Sequence, residues 1–220
     1  MSQAALIRLM SWLSPVFPTG NFAYSAGLEQ AVAVGLVTDE ASLTGWLQAQ
    51  LAHGSPWNDA VLLAASWRAA ADTATLASLA ELATALSGSA ERNGETLAQG
   101  RSFLEAATHW FPAGTLPLDG ASAPLPVAIG AAAGAAGIAL DQALAAWLQA
   151  FISNQLQAAI RLSVTGQNGA ARLLAALEPA IAAAADRATR STPDDLGSFA
   201  FTAEIASMQH ETLQPRLFLS

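Results

Sequence analysis

This 220-residue chain brings little to metal or nucleophilic chemistry, with three histidines, one tyrosine and no cysteine. His53, His109 and His210 are scattered, and without a thiolate no metal-ligand set and no bound cofactor is expected. His210 and Glu211 are adjacent, so on a helix they point apart, and His210 is read as a hydrogen-bonding group that fixes the C-terminal tail. Tyr24 stands beside Ser25 with no acid–base partner near it in sequence. Its hydroxyl is read as closing a proline-rich loop onto the next helix. Glu29 lies one helical turn beyond Ser25, a spacing suited to capping. No Gly-x-Ser-x-Gly elbow, His-Glu-x-x-His pair or paired-carboxylate spacing occurs, so no catalytic residue is assigned.

The closing stretch carries a different chemistry. Arg216, Leu217, Phe218 and Leu219 set one cation beside three large apolar groups in an acidic protein. A free segment frays unless something orders it, so 210–220 is either docked on its own domain or offered to another protein. Arginine and aromatic side chains are common interface anchors.

Composition limits what these residues serve. Net charge is −8 without a basic run, which excludes the footprint of a nucleic-acid binder and disfavours anionic membranes. All nine basic residues are arginines, so neither a Walker-type phosphate loop nor a lysine Schiff base is available. The first residues lack a charged segment followed by an apolar one, so a cytoplasmic protein is expected. Residues are 53% hydrophobic and only 12% charged, and alanine, the best helix former, dominates.

An all-α single-domain bundle of roughly eight to ten helices is therefore expected over 1–220. The pattern predicts helices over Ala4–Leu13, Ala23–Val34 (stopped by Gly35), a segment capped by Thr38, Trp57–Ala71 after an N-cap at Ser55, Thr73–Ser87 and Glu91–Trp110. Phe111–Pro126 reads as irregular. Helix resumes near Val127, again over Asp141–Leu162, and from Asn168 with a kink at Pro179. Glu91, Arg92, Glu95, Arg101 and Glu105 read as a solvated helix face with weak pairs. Gly120–Leu140 is uncharged and holds Gly130 and Gly134, but it is mostly Ala and Gly. It reads as a helix packed closely through small residues, not a membrane span.

Three stretches carry a family likeness. Ser14-Pro15-Val16-Phe17-Pro18-Thr19-Gly20-Asn21-Phe22-Ala23-Tyr24-Ser25-Ala26-Gly27-Leu28-Glu29 resembles the N-terminal signature of the UreF family of urease accessory proteins. His210-Glu211 followed by Arg216-Leu217-Phe218 resembles that family's close, with Leu219 in place of a second arginine. Arg161-Leu162-Ser163-Val164-Thr165-Gly166-Gln167 is similar to a third segment, without its usual proline. The resemblance implies a homodimeric scaffold that binds UreD (UreH) and recruits the GTPase UreG for GTP-dependent nickel insertion into apo-urease. Tyr24, Ser25, Glu29, His210, Glu211, Arg216, Leu217 and Phe218 become partner-binding candidates, and removal of the tail from Arg216 is expected to abolish UreD binding and leave the domain folded. The alternative from another class is an all-α enzyme or small-ligand binder with a pocket beside the Pro18–Tyr24 loop.

Because the chain has no lysine, the purified protein alone is expected to release no phosphate from GTP above buffer background. Turnover that survives removal of contaminating GTPases overturns this.

Overall fold

The computed structural model describes residues 2–118, 123–197 and 200–220. These form an all-α, single-domain bundle: α1 (Gln3–Trp12), α2 (Leu28–Ala33), α3 (Glu40–His53), α4 (Ser55–Arg68), α5 (Thr73–Ala85), α6 (Ala90–Ala107), α7 (Leu125–Ala135), α8 (Leu140–Arg161), α9 (Gln167–Thr189) and α10 (Phe201–His210). No strand occurs among the described residues.

Local chemistry sets most helix starts. Asp39 accepts the Ser42 N–H at 2.8 Å while Ser42 Oγ accepts the Asp39 N–H at 3.1 Å, a reciprocal capping box that displaces the expected cap at Thr38. Asp72 and Ser89 cap α5 and α6 without the return bond, Asp72 accepting the Ala74 and Thr75 N–H groups and Ser89 that of Arg92. At α4 the cap is Gly54, and Ser55 is already helical. The helix expected from Ala23 begins only at Leu28, because Ala26 (φ 49°) and Gly27 (φ 80°) are left-handed and Asn21–Ala23 forms a separate 3-10 turn. α9 runs through Pro179, whose position is exposed, so water can reach the carbonyl its missing N–H leaves free. The part of the irregular segment at 119–122 lies outside the described residues.

The centre of the bundle is α7. Every residue from Leu125 to Ala133 is buried, and α7 lies closest against α4. A Cβ added at Gly130 would run into the Leu63 carbonyl oxygen, and one at Gly134 into that of Trp67. The small-residue pair thus serves flush packing inside a protein, and no described helix is long and apolar enough to cross a membrane. Leu144, Leu148, Ile152 and Leu156 of α8 line the other wall of the core at helical spacing. Trp67 Nε1 donates to the Ile138 carbonyl at 2.7 Å, tying α4 to the α7–α8 turn. Arg68 donates to the Thr189 and Ser191 carbonyls and so closes the C-terminal end of α9. At the α1 end, Trp12 packs edge-on against Phe103, with ring centroids 5.6 Å apart.

α10 has no counterpart among the helices expected from the sequence. Its ten residues follow a polar Pro-Asp-Asp stretch and hold only Ala203, Ala206 and His210 buried, so its place comes from packing on α2 and α6 more than from its own pattern.

Gly130→Ala decides the sign of one packing claim. On a solvated helix face the change would stabilise by up to about 1 kcal/mol. Against the Leu63 carbonyl it is expected to destabilise by about 1–3 kcal/mol in urea unfolding, with the helical signal of the native state unchanged.

Candidate functional site

The segment after α10 folds back across α2 and α6, and the two carboxylates that receive it are Glu29 and Glu91. Glu29 is buried in the first turn of α2. Its Oε1 accepts the Leu217 N–H at 2.6 Å and its Oε2 the Phe218 N–H at 3.0 Å. Glu91, in the first turn of α6, pairs through Oε1 with the Arg216 guanidinium. Between them sits His210, fully buried, with Nε2 2.9 Å from Glu29 and Nδ1 2.8 Å from Glu91. Gly27 makes this approach possible, because a Cβ there would come within 2.9 Å of the Ser207 backbone nitrogen on α10.

Beyond Phe218 the chain continues as a strap. Leu219 N–H donates to the Ala23 carbonyl at 2.8 Å. The Ser220 carbonyl oxygen accepts from both the Ser25 N–H (2.6 Å) and Ser25 Oγ (2.5 Å), while Ser220 Oγ donates to Glu95 at 3.1 Å. Burial alternates along the strap. Phe218 enters the core at 3% exposure, whereas Leu217 and Leu219 are 53% and 55% exposed. The Arg161 guanidinium lies 4.1 Å from the centre of the Phe218 ring and donates to the Phe22 carbonyl. The three stretches singled out in the sequence therefore meet at one place.

Of the expected site residues, Ser25, Glu29, His210, Arg216, Leu217 and Phe218 converge. Half of the expected Ser25–Glu29 capping interaction is present, since Ser25 Oγ accepts the Glu29 N–H at 3.3 Å, while the Glu29 carboxylate reaches the strap. Glu211 turns away from His210 and accepts the Ala90 N–H at the start of α6. Tyr24 is held through its carbonyl by Asn154 Nδ2 at 3.1 Å, and the residue lines a cavity with Asp59, Arg92 and Glu95. Burial, with the nearby Glu95 carboxyl, pushes the Tyr24 hydroxyl above its ordinary range.

The α6 face expected to be solvated divides in two. Arg101 and Glu105 are exposed, but Glu91 and Arg92 are nearly buried and Glu95 is buried, because α6 packs on α7 and α10. Arg92 pairs with Asp59 at 2.5 Å and with Glu95 at 3.5 Å. Two carboxylates share one guanidinium, and burial pushes both Asp59 and Glu95 above their ordinary range. Glu91 and Glu95, one turn apart, are visible in the sequence as an i, i+4 pair; their burial is not.

The cavity beneath the Pro18–Tyr24 loop measures about 60 Å³, room for a few waters. Trp12, Asn21, Trp147 and Gln155, which each carry a buried polar atom unpaired within the protein, line it. It is too small to hold a substrate, and the wider open groove of about 720 Å³ that runs past Pro18 is lined mainly by apolar groups such as Met10, Val16 and Phe17. Among the described residues no group of three or more His, Asp or Glu is arranged to hold a metal ion.

Burial opposes ionisation of Glu29, but the hydrogen bonds from His210, Leu217 and Phe218 together outweigh it and hold the carboxyl below its ordinary range. A depressed carboxyl stabilises the fold above its unfolded pKa, about 4.3, and that contribution is lost as pH falls through the folded value. The stability gap between the native chain and Glu29→Gln is therefore expected to narrow on acidification, read from paired urea titrations. A gap that widens toward acid contradicts the assignment.

Residues 37–178 match the family model described as UreF. The chain is 56% identical over 220 residues to a urease accessory protein UreF of Brucella ovis, covering 98% of this chain and 94% of that protein. It is 54% identical over 219 residues to one of Mesorhizobium japonicum, covering 100% and 98%. Against the urease accessory protein UreF 1 of Brucella anthropi it is 51% identical over 214 residues, covering 97% and 93%.

Proposed function

The chain belongs to the UreF family of urease accessory proteins, and we propose that it is a helical scaffold that binds UreD (UreH) through α10 and the strap. It is an accessory protein and not an enzyme. On this reading it recruits the GTPase UreG, works as a cytoplasmic homodimer, and presents surfaces while its partners handle GTP and the nickel cargo destined for apo-urease.

One observation carries the proposal. Phe201, Ile205 and Met208 are exposed on α10 at spacings of four and three residues, a continuous stripe on one helix face. Leu217 and Leu219 of the strap are exposed beside the same helix, α2, that α10 packs against. Large apolar groups repeated along two neighbouring elements mark a protein–protein surface. The expectation that removing the tail leaves the domain undisturbed needs correction, however. Phe218 is buried and the N–H groups of 217–219 and the Ser220 carbonyl are hydrogen-bonded, so deleting the strap from Arg216 removes a piece of the core as well as a surface. Loss of binding by such a truncation would not separate the two.

Point changes at exposed positions do. Ile205→Asp with Met208→Asp, and separately Leu217→Asp with Leu219→Asp, are expected to lower UreD capture by about tenfold or more while the melting temperature stays near that of the native chain. Undiminished capture by both well-folded pairs would sink the proposal.

A further inference from the structure

The two nitrogens of the His210 ring face different carboxylates, Glu29 at 2.9 Å and Glu91 at 2.8 Å, and the ring is fully buried. A neutral imidazole carries one N–H and one bare lone pair. Whichever nitrogen is bare then confronts a carboxylate oxygen at hydrogen-bonding distance, acceptor against acceptor. A proton on either carboxyl would relieve the conflict, but both are committed as anions. Glu29 already accepts two backbone N–H groups, and Glu91 faces the Arg216 guanidinium. A ring protonated on both nitrogens donates to both.

Charge balance gives the same answer independently. Glu29, His210, Glu91 and Arg216 form a chain of alternating sign that sums to zero only when the ring is an imidazolium. With a neutral ring, one negative charge is left unpaired in a largely buried setting, which is costly. The neighbouring charges do not fill the gap. On α6, Arg92 and Glu95 turn to Asp59 and Ser220; on α10 itself, Glu211 turns to Ala90, and Glu204 lies nearly two turns upstream. From α2 the ionisable group that faces the ring is Glu29, beside the neutral Gln30–Gln209 contact.

We infer that His210 is a proton-dependent latch: its doubly protonated ring ties α2 to α6, and losing one ring proton undocks residues 216–219. Arg216, Leu217 and Phe218 each grip one of the two carboxylates, so the strap stays seated only while both are held in place. When the ring proton leaves, one carboxylate loses its partner and swings toward water, taking its strap contacts with it. The strap yields first because Phe218 is the one core side chain among residues 216–219, whereas α2 and α6 carry several, such as Leu28, Ala31, Phe103 and Leu104. The latch goes beyond the scaffold reading and holds whether or not the strap meets a partner.

The test is a nitrogen-15 NMR titration of the full chain from neutral to alkaline pH, following the ring nitrogens of His210 and the amide exchange of Leu217, Phe218 and Leu219. At neutral pH both ring nitrogens are expected to carry protons. As one is lost, exchange of the three amides is expected to accelerate by about tenfold or more beyond the intrinsic base-catalysed rise, the factor for losing a charge-assisted hydrogen bond, with α7 and α8 amides still protected. His210→Gln, with one donor and one acceptor end, is expected to show the faster exchange already at neutral pH. If that variant does not fold, the native titration decides alone. A singly protonated ring at neutral pH with the three amides protected, or amides that stay protected after the proton leaves, overturns the inference.

Discussion

A buried carboxylate has to be answered by donors or by opposite charge, and this protein has placed two of them, Glu29 and Glu91, on either side of one histidine. Much of the arrangement at this end of the molecule stems from that constraint. α10 is where it is because His210 must reach both acceptors. α2 begins with a left-handed glycine because α10 must come close enough for that reach. The strap crosses where it does because Glu29 still has oxygen lone pairs to offer after His210, and consecutive backbone N–H groups meet them. Such a cluster is weak evidence for high stability, since a well-packed apolar equivalent would do as well. What it provides is position: a single geometry in which every charge is met.

How much of this is legible in the sequence depends on the distance over which each signal acts. Helix content is plain, because alanine propensity and apolar spacing act within a few residues. Gly130 and Gly134 point correctly to flush helix packing. Boundaries governed by one side chain are missed by a residue, as when Asp39 and not Thr38 caps α3. The larger misses lie at Glu91, Arg92 and Glu95. Their spacing is that of a solvated face, and nothing local announces that α7 and α10 cover them. Glu29 and His210 are 181 residues apart, and Glu91 and His210 are 119 apart. Periodicity has no access to such pairs. The likeness of three separate stretches to one family does reach across that distance, although it names residues and not their roles.

On the scaffold reading, the same short segment answers two demands that usually conflict. A docked strap needs inward anchors, and a recognition surface needs outward ones. The strap supplies both because burial alternates along it: Phe218 fills the core under Arg161 while Leu217 and Leu219 stay outside. A helix in that position would have spread its anchors over more than three residues, and a disordered tail would have paid the ordering cost on each encounter.

The bond between Ser220 and Ser25 spans 195 residues, and it has a consequence for the order in which the molecule is assembled. During synthesis every helix emerges before the strap does, and α7 and α8 can bury their apolar faces against α4 while the strap is still being made. The slot for Phe218, with Ser25 and Glu95 at its far end, must then exist for a time without its occupant. Contacts of such long sequence separation form late, because the loop they close is costly until the rest of the fold has shortened it. A nascent chain at that stage has α1–α10 in place yet displays an apolar notch beside two carboxylates, Glu29 and Glu95. It is during this interval, before the strap seats itself, that the protein is most exposed to wrong partners and to other copies of its own unfinished chain.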